Sequence, residues 1–159
     1  MTASRTIEIV VEDANWRTLA PRARTRMKKA VLRTLEREKA TGALTILLAS
    51  DARLKELNAL FRGKNKPTNV LSFPSAERGY LGDVAIGFGT VEKEARAAGK
   101  AVADHLAHLA MHGTLHLLGR DHEKPREAAR MEKLETEILA EFGIADPYAG
   151  PRRSRKRHG

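Results

Sequence analysis

Cysteine, aromatic residues and long apolar runs are scarce or absent in this sequence. None of its 159 residues is cysteine, which excludes disulfide frameworks, thiol nucleophiles, iron–sulfur clusters and cysteine-based zinc fingers. Aromatic residues make up only 4%, which argues against a base-stacking platform for nucleic acid. The longest strongly apolar run, residues 43–49, is far shorter than the ~20 residues that span a bilayer. Residues 1–15 lack the apolar core of a signal peptide, so we expect a soluble, cytoplasmic protein.

Positive charge is distributed unevenly. The formal net charge is +9, but five basic residues lie in the last eight positions, and without them 24 basic and 20 acidic residues leave +4 for residues 1–151. The body of the protein is therefore only mildly basic. We expect residues 149–159 to form a basic, disordered tail. A second group of cations lies on one predicted helix, where a solvated face is favoured over an RNA-facing stripe; its members are Arg22, Arg24, Arg26, Lys28, Lys29, Arg33 and Arg37.

Apolar periodicity predicts a single α+β domain. Strands are predicted at residues 6–11, 44–49, 69–73 and 82–87, and helices at residues 19–39, 51–60, 91–98, 102–118 and 126–142. Since the strands lie mainly in the first half of the chain, we expect a small mixed β-sheet packed with about five helices. The fourth of these helices would be central and would carry most of the histidines.

Five of the six histidines fall within 18 residues. On a helix each residue turns by about 100°, so His105, His108, His112 and His116 share one stripe about 80° wide. Two imidazoles at i and i+4 can bind one metal ion. Gly119 offers the positive φ that ends a helix and reverses the chain, and His122 follows three residues later.

The spacing of His112, His116, Gly119 and His122 matches that of the metzincin zinc proteases. Three nitrogen ligands leave a fourth position open, which is typical of a catalytic zinc site. The rival set of His105, His108 and His112 would lie on one continuous helix, which surrounds a tetrahedral ion poorly. We expect His105 and His108 to support the ligands or to lie at the surface.

Glycine replaces the residue that performs proteolysis in the metzincin motif. The position after the first histidine is the general base Glu in that motif, and here it is Gly113. A zinc peptidase is therefore a weak alternative. Asp121 is the nearest carboxylate, and it is a candidate to act as a base or to orient a ligand; a turn-stabilising role is the other interpretation.

A basic loop precedes the third predicted strand. Residues 61–68 contain Arg62, Lys64 and Lys66 and no acid. Arginine can bind phosphate with two hydrogen bonds and lysine acts on it as a point charge. Beside a catalytic metal, such a loop indicates a phosphoryl substrate, whose developing charge the cations would stabilise.

Two long segments give the sequence a family resemblance. Residues 62–74 read Arg-Gly-Lys-Asn-Lys-Pro-Thr-Asn-Val-Leu-Ser-Phe-Pro, and residues 112–122 read His-Gly-Thr-Leu-His-Leu-Leu-Gly-Arg-Asp-His. Both resemble the YbeY-type rRNA-maturation endoribonucleases, and the resemblance covers roughly residues 6–148. It implies a small zinc-dependent hydrolase, at residues 1–148, that cuts single-stranded RNA in rRNA maturation and ribosome quality control.

The resemblance also implies roles for individual residues. His112, His116 and His122 look like the ligands of one Zn²⁺ per chain, and Arg62 like the arginine near the scissile phosphate. Lys64 and Lys66 are candidates to bind substrate. The sequence departs from the family pattern at Asn65, where Asp is usual, and at Arg120, where an aromatic is usual; both changes make the local charge more positive.

The implied partners are rRNA and a ribosomal subunit or assembly factors, with neither DNA nor a membrane. A non-catalytic ribosome-assembly factor with a structural zinc is the main alternative to the enzyme. The basic tail is either an rRNA anchor or a solubilising terminus.

Overall fold

A four-stranded sheet forms the centre of the fold. The computed structural model describes residues 4–120 and 123–148. The strands are β1 (Arg5–Val11), β2 (Gly42–Ala49), β3 (Val70–Pro74) and β4 (Tyr80–Gly87). Their order is β1-β2-β4-β3; β2 runs parallel to β1 and β4, and β3 runs antiparallel to β4. The mixed sheet and the single α+β domain are as predicted.

The described residues form five α-helices, whose bounds lie within three residues of the predicted ones. They are α1 (Pro21–Arg37), α2 (Asp51–Arg62), α3 (Phe88–Ala98), α4 (Val102–Leu117) and α5 (Pro125–Glu141). Pro21 occupies the first turn of α1, where its missing N–H is not needed. The Ser50 side chain accepts a hydrogen bond from the Arg53 amide and so caps α2.

The two faces of the sheet carry different helices. Leu44, Ile46 and Leu48 of β2 alternate toward the main core, where they pack with α1, α3 and α4. On the other face, Leu54 of α2 packs against Leu71 and other strand residues. Helix α5 lies outside α4 and α1. This arrangement puts α4 between the sheet and α5, and burying a single leucine there stabilises the fold by about 1.5–3 kcal/mol.

Several of the cations on α1 form hydrogen bonds and ion pairs within the protein. Arg26 donates to Asp104 and to the Phe142 carbonyl, at 3.1 and 2.6 Å. Arg33 pairs with Glu141, and a similar bond joins α1 to α5 at Arg37. These pairs favour a structural and solvated role for this part of the stripe.

Among the described residues, no helix is both long and apolar enough to cross a membrane. The predicted boundary between a domain at residues 1–148 and a tail at 149–159 stays a prediction, because residues 149–159 lie outside the described part of the chain.

Candidate metal centre

Four histidines form one row along α4, as the helical periodicity predicts. Neighbouring ring centroids are 6.2 Å apart from His105 to His108, 6.2 Å from His108 to His112, and 4.7 Å from His112 to His116. The first two rings are buried, with 7% and 8% of each residue exposed, whereas His112 and His116 are half-buried. The surface alternative for His105 and His108 is therefore excluded, because α4 lies between the sheet and α5, and their role in supporting the ligands stays a prediction.

A buried carboxylate on α5 holds the middle of this row. Glu135 Oε1 lies 2.8 Å from His108 Nε2, and Glu135 Oε2 lies 2.8 Å from His112 Nδ1. The Tyr148 hydroxyl also donates to Oε1. Burial by itself raises the pKa of Glu135, but the hydrogen bonds from the two histidines outweigh it and lower the pKa to about 2. Glu135 is therefore ionised at neutral pH.

The charge on Glu135 determines which nitrogen of His112 carries a proton. An ionised carboxylate only accepts hydrogen bonds, so the His112 Nδ1 atom must be the donor. In a neutral imidazole this leaves Nε2 as the unprotonated nitrogen. Metal-binding histidines are commonly oriented in this way by a carboxylate on the opposite nitrogen.

The Nε2 atoms of His112 and His116 approach each other to 3.1 Å. Two Zn–N bonds of about 2.0–2.1 Å at a tetrahedral angle place their nitrogens about 3.3 Å apart. The observed separation is close to that value. His112 and His116 therefore fit as two ligands of one zinc ion.

A second group could also hold a metal ion. Ligand atoms of His108, His112 and Glu135 all lie within 4.8 Å of one another. In this group both carboxylate oxygens already accept hydrogen bonds from the rings at 2.8 Å, and Glu135 is fully buried. The two groups share His112, which faces Glu135 with one nitrogen and His116 with the other.

The turn after α4 has the predicted conformation. Gly119 has φ +88°, its amide donates to the His116 carbonyl, and the Arg120 amide donates to the Leu115 carbonyl. These two bonds form a Schellman motif, which requires a left-handed residue that glycine adopts without strain. The next two residues, Asp121 and His122, lie outside the described residues, so the third ligand and the candidate base stay predictions.

The two histidines line a cleft together with the predicted arginine. The cleft has a volume of about 630 Å³, and its lining includes Arg62, His112, His116, Arg120 and Glu123. Arg62 is the last residue of α2 and is exposed. The structure therefore brings together residues that lie about 50 positions apart in the sequence.

The other cations of the basic loop lie nearby but outside the lining of this cleft. Lys64 and Lys66 are exposed on the loop that follows Arg62. The buried Asn58 side chain donates to the Lys66 carbonyl at 2.9 Å, and the Lys64 amide donates to the Asn58 carbonyl at 3.2 Å. Asn58 thus ties the loop to α2, and the two lysines stay candidates for contacts with substrate beyond the cleft.

Close packing against the sheet explains why residue 113 is glycine. A Cβ atom at this position would lie 2.7 Å from Val84 Cγ1 and 3.1 Å from Ser72 Oγ, and the Ser72 hydroxyl donates to the Gly113 carbonyl. The glutamate that a metzincin protease needs at this position would collide with β3 and β4. The packing thus explains why the chain lacks the glutamate of the metzincin motif, and the peptidase stays the weak alternative that the sequence indicates.

Sequence reasoning missed the acidic partners of the histidine row. Glu135 holds His108 and His112, and Glu94 lies 2.8 Å from His105 Nε2. Burial lowers the pKa of His105 despite the Glu94 hydrogen bond. One signal for Glu135 was present, because it occupies the apolar face of α5 between Met131 and Ile138. A glutamate at a core position needs a partner.

Comparisons with known proteins find a matching family model and similar sequences. A family model described as endoribonuclease YbeY matches residues 8–143. A protein from Dinoroseobacter shibae named endoribonuclease YbeY is 44% identical to this chain, over 94% of this chain and 93% of its own length. One of the same name from Azorhizobium caulinodans is 49% identical, over 91% and 97% of the two chains.

A solved structure supports the fold. The solution structure of a protein from Thermotoga maritima matches with a TM-score of 0.60 and 27% sequence identity. The match covers 91% of this chain and 99% of that protein.

Proposed function

The chain belongs to the endoribonuclease YbeY family, and from this we propose that it is a zinc-dependent endoribonuclease that cuts single-stranded RNA. Its substrate would be rRNA, and its place in the cell would be the cytoplasm, in rRNA maturation and ribosome quality control on a ribosomal subunit or with assembly factors. The observation that carries the proposal is the cleft in which Arg62 lies with His112 and His116.

The metal would be held by His112, His116 and His122, one zinc ion per chain. When bound, zinc supplies a Lewis acid for a phosphoryl oxygen and lowers the pKa of water. Glu135 supports this role because it keeps the proton of His112 on Nδ1, away from the cleft. The 3.1 Å approach of the two Nε2 atoms gives the ion a pair of ligands that need little rearrangement.

Arg62 would bind and orient the scissile phosphate. Its guanidinium can donate two parallel hydrogen bonds to phosphate oxygens, and a fixed cation stabilises the charge that develops during phosphoryl transfer. Asp121 is proposed as the base or as a group that orients a ligand. Lys64 and Lys66 would contact neighbouring phosphates from the loop that Asn58 holds.

Recognition of RNA would depend on the backbone more than on base stacking. The sequence is only 4% aromatic, and the cleft presents Arg62 and Arg120. Contacts to phosphates release counterions, so binding weakens steeply as the salt concentration rises. Phosphate contacts do not distinguish RNA from DNA, so the expectation that neither DNA nor a membrane is a partner rests on the family.

Cleavage of one defined single-stranded RNA tests the proposal. The rate is measured for wild type, Arg62→Ala and His112→Ala, each with its zinc content quantified. We expect Arg62→Ala to retain zinc and to lose about 10²-fold in rate, as the loss of one group that stabilises the transition state does. His112→Ala should lose both zinc and cleavage. Arg33→Ala, which removes an exposed cation paired with Glu141, is the matched control and should leave the rate unchanged.

The outcomes also separate the enzyme from a non-catalytic assembly factor. Equal cleavage by wild type, Arg62→Ala and His112→Ala would mean that the activity comes from another site or a contaminating nuclease. Tight binding of rRNA without cleavage by zinc-loaded wild type would favour the assembly factor.

A further inference from the structure

Arg120 is a second arginine of the cleft, and the described residues include the turn that positions it. It follows the Schellman turn at the end of α4, and its amide is bonded to the Leu115 carbonyl. Arg120 lines the cleft with Arg62 and the two histidines, and it also lines a neighbouring cavity together with Glu38 and Glu127. Nothing in the role of the metal or of Arg62 accounts for a second arginine there.

Glu38 forms an ion pair with the guanidinium of Arg120 through two hydrogen bonds. Arg120 Nε donates to Glu38 Oε1 at 2.6 Å, and Nη2 donates to Oε2 at 3.2 Å. The Glu38 side chain is only 12% exposed, whereas that of Arg120 is 41% exposed. Glu38 directly follows α1, so the pair fixes the turn after α4 to the end of another helix. The hydrogen bonds to Glu38 also raise the pKa of Arg120, which stays charged.

The pair leaves Arg120 able to bind an anion. A guanidinium has five N–H donors, and the two bonds to Glu38 use two of them. The remaining donors are held in a fixed plane, which reduces the entropy that is lost when they bind phosphate. Glu38 offsets the charge of Arg120, so the expected effect is one of directed hydrogen bonds rather than of long-range attraction.

Arg62 and Arg120 approach the cleft from different sides. Arg62 ends α2, which packs on one face of the sheet, and Arg120 is anchored to the end of α1, on the other face. His112 and His116 line the same cleft from α4. Two guanidiniums held by separate elements can contact two different phosphates of one strand.

We propose that Arg120, oriented by Glu38, is a second phosphate-binding group of the cleft and contacts an RNA backbone phosphate different from the one at Arg62. This inference rests on the proposed function, since it takes RNA to be the ligand. By binding this second phosphate, Arg120 would determine the path of the RNA strand past the metal centre.

Neutralising one phosphate at a time tests the inference directly. The probe is a 2′-O-methyl oligonucleotide, checked to be intact after each measurement, with a single methylphosphonate moved along its length. Binding to zinc-loaded protein is measured at several salt concentrations. For wild type, we expect weaker binding at two separate positions. Arg120→Gln should lose the effect at one of them and keep the other, and Arg62→Ala should do the reverse.

The loss of affinity is that of one ordinary hydrogen-bonding group, because Glu38 offsets part of the charge of Arg120. With the unmodified probe, we expect Arg120→Gln to weaken binding about three- to tenfold. The slope of log K against log salt should fall by about 0.7, the value for one phosphate contact on a single strand. Arg33→Gln removes the same charge from an exposed ion pair outside the cleft and should change neither the slope nor the phosphate pattern.

Glu38→Gln tests the orienting role. It keeps the shape of the side chain and removes its charge, so Arg120 becomes less fixed. The loss of binding affinity caused by a methylphosphonate at the phosphate of Arg120 should then be distributed over neighbouring phosphate positions. An unchanged or sharper pattern in Glu38→Gln contradicts that role. Melting temperatures identify any variant that has simply lost stability, and Arg120→Lys, which keeps the charge without the planar fork, should recover only part of the affinity.

A purely structural ion pair gives a different result. If Arg120 only fixes the turn to α1, Arg120→Gln will lower the melting temperature and leave the phosphate pattern as in wild type, which overturns the inference while the role of Arg62 stands. If zinc-loaded wild type does not bind the oligonucleotide at all, the proposed function itself fails.

Discussion

Glu135 is a buried carboxylate that fixes the protonation of histidines on another helix. Its two oxygens accept from His108 and His112, and it stays ionised because these bonds outweigh the cost of burial. Helical periodicity was enough to predict His112 and His116 as neighbours. It could not predict Glu135, which is 23 residues beyond His112, because contacts between α4 and α5 depend on how the helices pack.

Replacing Glu135 by glutamine should weaken zinc binding. An amide can accept a hydrogen bond through only one of its two ends, so it cannot accept from His108 and His112 together. If His112 moves its proton to Nε2, that nitrogen can no longer bind metal. We expect a 10- to 100-fold loss of zinc affinity, which is the usual effect of losing such a supporting group.

Competition with a zinc chelator would measure this affinity. The matched control is Glu94→Gln. It alters hydrogen bonds to the buried His105 and to Asn69, which lines the cleft but is not a proposed zinc ligand. Equal zinc affinity in Glu135→Gln and wild type would contradict the role of Glu135.

Among the elements, the end of α4 at Gly119 was predictable from the sequence. The close packing of Gly113 against the sheet was not. Gly119 follows the last turn of a periodic apolar segment, and it has the left-handed conformation that this position favours. Gly113 was recognised only as a missing glutamate. Its contact with Val84 depends on where β4 lies, and no local pattern in the sequence gives that position.

Gly119→Ala should affect the metal centre more than an equivalent change elsewhere. Gly119 and Gly99 both end a helix with positive φ, +88° and +66°, and neither has an atom within 4 Å of an added Cβ. Alanine should therefore cost each site a similar stability, about 1–2 kcal/mol, from the left-handed backbone alone. Only Gly119 leads from His116 to His122, so only its variant should also lose zinc affinity.

Thermal unfolding and zinc titration of both glycine variants would separate these effects. Equal zinc affinity in Gly119→Ala and Gly99→Ala would mean that this turn does not determine the third ligand.

At the scale of the whole molecule, the order of the strands lay beyond the sequence pattern. Strand positions follow from local alternation, but β4 lies between β2 and β3 because of long-range pairing. This order makes β3 an edge strand, and residues of β3 line the cleft beside α4. The fold therefore determines that Arg62 and the histidines line one cleft, although each was identifiable from the sequence as a candidate site residue.

The basic tail should contribute to RNA binding through charge alone. We expect deletion of residues 151–159 to weaken binding of single-stranded RNA and to reduce the slope of its salt dependence by as much as about 3.5, since it removes five cations. Zinc content should not change. Fluorescence anisotropy at several salt concentrations would measure the effect.

A full-length variant with serine at the five basic tail positions is the control for chain length. It should behave like the deletion. Unchanged binding in both variants would leave the tail as a solubilising terminus.

We propose that RNA is cut at a zinc site formed by His112, His116 and His122 beside Arg62. The most direct measurement is the rate of cleavage of a defined single-stranded RNA as zinc is added back to metal-free protein. The rate should rise in proportion to bound zinc and level off near one ion per chain, and Arg62→Ala should bind the same zinc with about 10²-fold slower cleavage. A cleavage rate that does not change between zinc-free and zinc-loaded wild type would contradict the claim.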